Sequence, residues 1–322
     1  MVVSGSHKAM DTEFRVSIVV DSEDERSFAE SAAAAVFERI DSLERLLTRF
    51  EDTSDVAVVR ALAPGEVAQV ARETMYLLVR SAEVCAATRG AFDPTVGPVM
   101  DALRAPRRPD AAPCADWDRL AGGARADAFA RGGMQRLVLD VENLRVSVKP
   151  DRLGRATPLE LDFGGIGKGY ALDVCAELLK GEPFSMGRFM LDAGTSTVLA
   201  CGSAWNIGVG GEFKGRTRRG TTVALKDGAL SGSGFDIQGR HVVDVRRRGA
   251  AARWAAAWAR AESAAVADAL STAALAMTAA ELKAAVADLG AEVIVARRQP
   301  RALDHLRDPL ALFSAPAIGS AP

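Results

Sequence analysis

The chain has 322 residues, 48% of them hydrophobic and 25% charged, with 40 basic against 42 acidic residues and a net charge of -2. That balance, with no block of five like charges, speaks against a nucleic-acid partner, and no apolar run reaches the ~18 residues of a membrane span. Length and apolar content suffice for a sizeable core in one large domain or two smaller ones.

In chain order, residues 1–9 lack a basic region followed by an apolar stretch and are expected to be a tag remnant or a disordered leader. The expected location is therefore cytoplasmic, or exported if a natural leader has been removed. Phe14, Val16, Ile18 and Val20 alternate with polar residues as in a half-buried strand. Ser22 and Glu25 have capping-box spacing ahead of a long amphipathic helix carrying Phe37, Ile40, Leu43, Leu47 and Phe50. A second helix is predicted over 72–88, with Gly90 placed to stop it.

Residues 101–133 shift to Ala, Pro, Gly and Arg and read as a long connection holding one short helix. "RLVLDVENLRVSV" reads as a hairpin, "LELDF" as a strand, and "YALDVCAELLK" as a helix ended by Gly181. Strand-like runs follow at 188–192, 197–201, 205–209, 221–225 and 241–245, then a helix over about 264–284, the strand "EVIVAR" and a Pro-containing tail from 299. Cys85, Cys114, Cys175 and Cys201 are far apart with no Cys-x-x-Cys pair, which suits a reducing compartment.

The stretch with most chemical promise is "LDFGGIGKGYALD", residues 161–173. Its glycines let main chain approach a ligand closely, and the helix that follows favours negative charge at its N-terminus, so a phosphate or its metal is the expected ligand; a plain strand-to-helix turn is the alternative. It is not a P-loop, because Gly167-Lys168 is followed by Gly169 and Asp162 stands five before Gly167. Nor is it a dinucleotide fingerprint, since Gly165, Gly167 and Gly169 give Gly-x-Gly-x-Gly. No zinc-binding His/Cys spacing and no nucleophile elbow occur, Ser231 and Ser233 lacking the flanking glycines. Asp268 and Thr272, four apart on a predicted helix, set a carboxylate and a hydroxyl on one face as Mg²⁺ would require, although a carboxylate there also suits helix-end hydrogen bonds. "GAFDPTVGP", residues 90–98, reads as a turn, and His241 and Asp244 fall on opposite faces of a short strand.

Taken in order, "AMDTEFRVSI", "LLTRFEDTSDV", "RGAFDPTVGPV", "LDFGGIGKGYALD", "LDAGTSTVLACG", "ALSGSGF", "HVVDV" and "ADALSTAALAM" resemble the ApbE family of flavin transferases, which use FAD to attach FMN to a threonine or serine of another protein. The resemblance implies an α+β fold of mixed and antiparallel sheets with packed helices, in two intimately joined sub-domains spanning residues 10–298. It implies Mg²⁺ held by Asp268, Thr272 and the Gly165 carbonyl, with FAD as substrate and an acceptor protein as partner. Asp162 and Lys168 are then expected to contact the flavin nucleotide, with Met10, Phe50, Ala91, Phe92, Asp93 and Val243 lining its pocket. Lys168 is also expected to assist the transfer, and His241 to take or position the proton. FAD hydrolysis to FMN and AMP, or FAD binding without catalysis, are the alternatives. The chain departs from the family's pattern at Met10-Asp11-Thr12, where Met-Gly-Thr is usual, and at "VRRR" after "HVVD", where Pro-x-Thr-Gly is usual.

Overall fold

The computed structural model describes residues 1–104, 117, 120, 122–194, 196–209, 212–213, 216–217, 221–234, 242–251, 253–296 and 311–314. The chain opens with β1 (Val2–Ala9) and β2 (Thr12–Val19), paired antiparallel with Ala9 opposite Thr12. Their two-residue link has φ of 48° at Met10 and 59° at Asp11, the doubly positive geometry of a tight hairpin turn, so Asp11 adopts backbone that glycine takes without strain. Residues 1–9 are thus not a disordered leader. They are an edge strand with Val3 and Ala9 buried, which Gly5 makes possible by passing close under the Phe37 ring.

Helix α1 (Arg26–Leu47) lays Ala29, Ala32, Val36, Ile40 and Leu43 against the sheet and its neighbouring helices. It begins one turn later than the expected capping box: Glu25 is the N-cap without a side-chain cap, and its carboxylate instead accepts the Asp21 N–H at 3.0 Å. It also ends before Phe50, which is 85% exposed and outside the helical stripe. There follow α2 (Asp55–Ala61), β3 (Val67–Gln69), α3 (Arg72–Ala87), α4 (Gly97–Arg104), α5 (Gly122–Arg131), β4 (Leu137–Asp140) and β5 (Arg145–Val148). The region read as a connection with one short helix therefore holds α5 and the second half of α4. The predicted hairpin is β4–β5, to which β3 adds as a third strand.

"LELDF" is not a strand. Leu159 and Leu161 are buried, but the segment makes only isolated backbone bonds, Asp162 N–H to Pro94 O at 2.7 Å and Gly97 N–H to Glu160 O at 3.2 Å, which tie it to the turn at 90–98. Its alternation reports burial without a ladder partner.

Next come α6 (Gly167–Lys180), β6 (Phe189–Ala193), β7 (Thr197–Cys201), β8 (Trp205–Val209), β9 (Glu212–Phe213), β10 (Arg216–Thr217), β11 (Thr221–Leu225), β12 (Gly228–Gly234), β13 (Val243–Asp244), β14 (Gly249–Ala250) and β15 (Ala256–Ala261). The chain continues through α7 (Ala264–Ala274), α8 (Ala279–Leu289), β16 (Glu292–Ala296) and β17 (Ala311–Ser314). The helix expected over 264–284 is two. Thr278 Oγ1 accepts the Glu281 N–H while the Glu281 carboxylate accepts the Thr278 N–H, a capping box that starts α8 and ends any continuation of α7. Part of the expected tail, 311–314, is a strand paired with β16.

The main sheet has the order β1-β2-β6-β7-β12-β15-β16-β17 with every pairing antiparallel. Helices α1, α6 and α7 pack on it, giving the expected α+β architecture. Among the described residues no helix is long and apolar enough to cross a membrane.

Candidate active site

The site is built where α6 crosses α7. At Gly169 a Cβ would overlap the Ala264 carbonyl oxygen, so the helices touch backbone to backbone there and only glycine fits. The crossing is locked one turn further along: Asp173 of α6 accepts the Ser263 hydroxyl at 2.6 Å and the Ala264 and Ala265 N–H groups at 2.6 and 2.9 Å, capping α7 from a neighbouring helix. Burial pushes the Asp173 carboxyl up, and these three bonds oppose it.

This clamp presents Asp268, 3% exposed, to the start of α6. Its Oδ2 accepts the Gly169 N–H at 3.1 Å, and Lys168 Nζ stands 3.9 Å from the same oxygen, too far for a hydrogen bond. Among the described residues its Oδ1 has one hydrogen-bond partner, the Ser231 hydroxyl at 3.4 Å. A row of hydroxyls surrounds it: Thr197 to Ser231 at 2.9 Å, Ser231 to Ser271 at 3.3 Å, Ser271 to Ser233 at 2.8 Å and Ser233 to Thr272 at 3.2 Å. Local rules put them there. Ser231 and Ser233 are two apart on β12 and share a face, Thr197 is the register partner of Ser231, and Asp268, Ser271 and Thr272 share one turn of α7.

The glycine turn closes the site. A Cβ on Gly165 would lie 3.4 Å from Thr272 Oγ1 and 3.6 Å from the Phe92 ring, so the turn is seated on both. Asp162 Oδ1 accepts the Gly164 N–H at 2.9 Å, and Lys168 Nζ donates to Gly164 O at 2.9 Å. Helix α6 starts without a side-chain cap at Ile166; the Gly167 N–H donates to the Phe163 carbonyl at 2.7 Å and the Gly169 N–H to Asp268, and the positive end of the helix faces the turn.

The structure thus brings Asp162, Gly165, Lys168, Phe92, Asp268 and Thr272 together. Ala91, Phe92 and Asp93 are all buried, and Asp93 Oδ1 accepts the Thr95 N–H at 2.9 Å and hydroxyl at 2.6 Å, which forms the predicted turn; burial raises its carboxyl. Met10, Phe50 and Val243 take no part in the contacts described above. The Met10 N–H donates to Glu44 at 2.7 Å, Phe50 lies under the Arg49 guanidinium, and Val243 packs with Val99, Met100, Leu103 and Phe129. His241 lies outside the described residues.

The "VRRR" segment forms an ordered turn between β13 and β14. Buried Asp244 accepts the Arg246 and Arg247 N–H groups at 3.1 and 3.2 Å, Arg248 takes a φ of 53°, and Arg246 reaches Glu281 and the Ala276 carbonyl. Residues not foreseen as part of the site are Thr197, Ser231, Ser233, Ser271, Asp173 and Arg49. The serines two apart in "LSGS" were the readable signal; Arg49 and Asp173 had none.

The donor set suits a hard cation. Among the described residues no three His, Cys, Asp or Glu side chains cluster, so a metal here would have one carboxylate and neutral oxygens, as Mg²⁺ accepts when it keeps waters and binds substrate phosphates. Among the described residues, buried Asp268 has no arginine partner and its Oδ1 has one long contact, capacity that a cation would use.

Residues 10–295 match the model of the ApbE family. A comparison with curated protein sequences gives no match. Among solved structures, the Flavin Transferase ApbE from Vibrio cholerae superposes with a TM-score of 0.76 at 18% identity, over 98% of this chain and 97% of that one. The Pseudomonas stutzeri flavinyl transferase ApbE in its apo form gives 0.75 at 21% identity, over 98% and 94%. The apbe protein of Thermotoga maritima gives 0.72 at 25% identity, over 92% and 94%.

Proposed function

This chain belongs to the ApbE family, and from that premise we propose that it is an FAD:protein FMN transferase, moving FMN from FAD to a Thr or Ser hydroxyl of an acceptor protein with Mg²⁺ bound. The acceptor oxygen bonds to the FMN-side phosphorus, the bridging P–O bond breaks, and AMP leaves with the electron pair. The single observation that carries this reading is the buried, under-supplied Asp268 carboxylate beside a glycine turn, a lysine and the N-terminus of α6. That combination suits a pyrophosphate with its cation and little else. The solved structures of similar fold carry the names flavin transferase and flavinyl transferase, which supports a flavin as the group moved.

In this reading Asp268, Thr272 and the Gly165 carbonyl would hold Mg²⁺, which would supply neutralisation of charge developing on the phosphates. Lys168, anchored on Gly164 O, contributes a second positive charge, and the α6 N-terminus orients the same oxygens. His241 takes the proton from the attacking hydroxyl. Met10, Phe50, Ala91, Phe92, Asp93, Asp162 and Val243 bind the remainder of FAD, so FAD is held more tightly than FMN.

The test is incubation of the protein with FAD, Mg²⁺ and a flavin-acceptor domain. The expected result is a flavin-fluorescent acceptor band under denaturing conditions together with an equimolar release of AMP. AMP without labelled protein would show water as the acceptor; neither product would show a binder without catalysis.

A further inference from the structure

The glycine turn is held from outside as well as from within. Arg49, just past the end of α1, sets Nη1 3.2 Å from Asp162 Oδ2 and donates through Nη2 to Asp101 of α4. Both partners of the inner contact are well covered, Arg49 at 16% and Asp162 at 9% side-chain exposure. Glu160 stands next to Asp101 and pairs with Arg131 of α5; burial and the neighbouring Asp101 push its carboxyl up. Charged groups therefore run from α5 through Glu160, Asp101 and Arg49 to Asp162. From Asp162 the connection continues through the Gly164 N–H, the Gly164 carbonyl and Lys168 to Asp268. A guanidinium fork can serve two carboxylates at once, which the point charge of a lysine does less well.

We propose that Arg49 is a positioning residue of the active site, acting through Asp162. It draws Asp162 Oδ2 outward, which leaves Oδ1 aimed at the Gly164 N–H and so fixes the carbonyl on which Lys168 rests. It also offsets one negative charge at the edge of a site that receives an anion. The second effect rests on the reading of FAD as ligand; the first does not. Without Arg49, Asp162 would lose the charge-assisted bond on Oδ2, and its hold on the Gly164 amide through Oδ1 would loosen.

Hydrogen–deuterium exchange on the ligand-free chain tests the first effect. In Arg49→Ala the amides of 163–167 should exchange about tenfold faster than in the native protein, as expected when a charge-assisted bond that orders a turn is lost. Arg49→Lys keeps the charge without the fork, should fall between, and guards against a folding failure. Asp101→Ala removes the tether to α4 while leaving the Arg49–Asp162 contact, and should leave exchange at 163–167 near native. Native-like exchange there in both Arg49 variants would overturn the proposal. FAD titration tests the second effect: binding should weaken about tenfold in Arg49→Ala and recover in part with millimolar ethylguanidinium, which a purely structural loss would not do. Unchanged FAD affinity in that variant overturns the charge effect. A native protein that binds no FAD overturns the functional reading instead, while exchange at 163–167 still decides the role of Arg49.

Discussion

Asp151 and Asp268 are both single carboxylates buried in the protein, and they are treated in opposite ways. Asp151 is saturated: Oδ1 accepts the Leu153 and Arg155 N–H groups, each at 2.9 Å, and Oδ2 accepts Arg155 Nε at 2.7 Å and the Thr157 hydroxyl at 3.2 Å. Burial alone would raise its pKa, but the Arg155 amide and guanidinium and the Leu153 amide outweigh that and hold it down to about 2. Asp268 has one good amide bond, one long hydroxyl contact and a lysine just out of reach. A carboxylate that spends all its lone pairs organises a loop, whereas one that keeps some unspent, at comparable burial, is available to a cation.

The sharpest way to break this contrast is Asp268→Ala. Transfer should fall by about 10⁴-fold, because neutralisation of phosphate charge by a bound divalent ion is worth several kcal/mol in the transition state. Melting should stay near native, since little of the fold depends on a partly satisfied group. Chelation of Mg²⁺ should abolish native activity and leave the variant's residual rate unchanged; full activity in the variant would remove Asp268 from the site. His241→Ala separates charge-holding from proton transfer. It should slow transfer by about 10²- to 10³-fold with FAD affinity little changed, because help from a general base appears only in the transition state. Parallel loss of FAD binding, seen by titration, would make His241 a pocket residue.

Asp151→Asn should do the reverse of Asp268→Ala, lowering the melting temperature by several degrees while FAD binding at saturation stays native. The pH dependence has a definite sign. The folded pKa is below the ordinary 3.8, so the stability Asp151 contributes is complete above about pH 4 and is lost as pH falls toward 2. Acid unfolding of the variant should therefore be flatter over that window, as circular dichroism would show; identical acid transitions would contradict the saturated reading.

Legibility in the sequence followed range. Helices α1 and α3 and strands β6 and β7 show their period within one segment, so they are recognisable, although α1 starts a turn later than its expected cap and stops before Phe50. Asp268 and Thr272 share a helical face four residues apart, which flagged the pair, and the ordered motifs supplied Gly165 and Lys168. The break between α7 and α8 was hidden because residues 264–277 are apolar nearly all round and α7 is buried on almost every side, leaving no stripe whose phase could shift. The capping box at Thr278 and Glu281 was the local sign that it ends. Strand β1 was hidden for a different reason: Gly5 and His7 interrupt the inward face between Val3 and Ala9, and what completes that face is Phe37 from α1. Arg49 meets Asp162 across 113 residues, and no local pattern encodes such a contact.

A third, half-buried carboxylate refines the contrast. Asp192 lies on β6 opposite Arg15 of β2, yet its Oδ1 has no hydrogen-bond partner and Arg15 Nη1 stays 3.7 Å from Oδ2, because Arg15 is bound to Glu13. Burial raises its pKa to about 6, with Arg15 opposing and Glu13 adding to the rise. Like Asp268 it is under-supplied, but no hydroxyl row, glycine turn or helix end faces it in these contacts, so lone-pair capacity without surrounding donors predicts a cost and no site. Because the folded pKa lies above the ordinary 3.8, the native state holds the proton more tightly than the unfolded chain, and stability falls as pH rises from about 4 to about 6. Asp192→Asn, neutral and of similar shape, should be more stable than the native protein at pH 7 by about 1 kcal/mol, less than the full shift implies because the group is partly in water. The difference should vanish near pH 4. Urea unfolding at the two pH values measures it, and a variant less stable at pH 7 would mean that the Arg15 contact outweighs the burial.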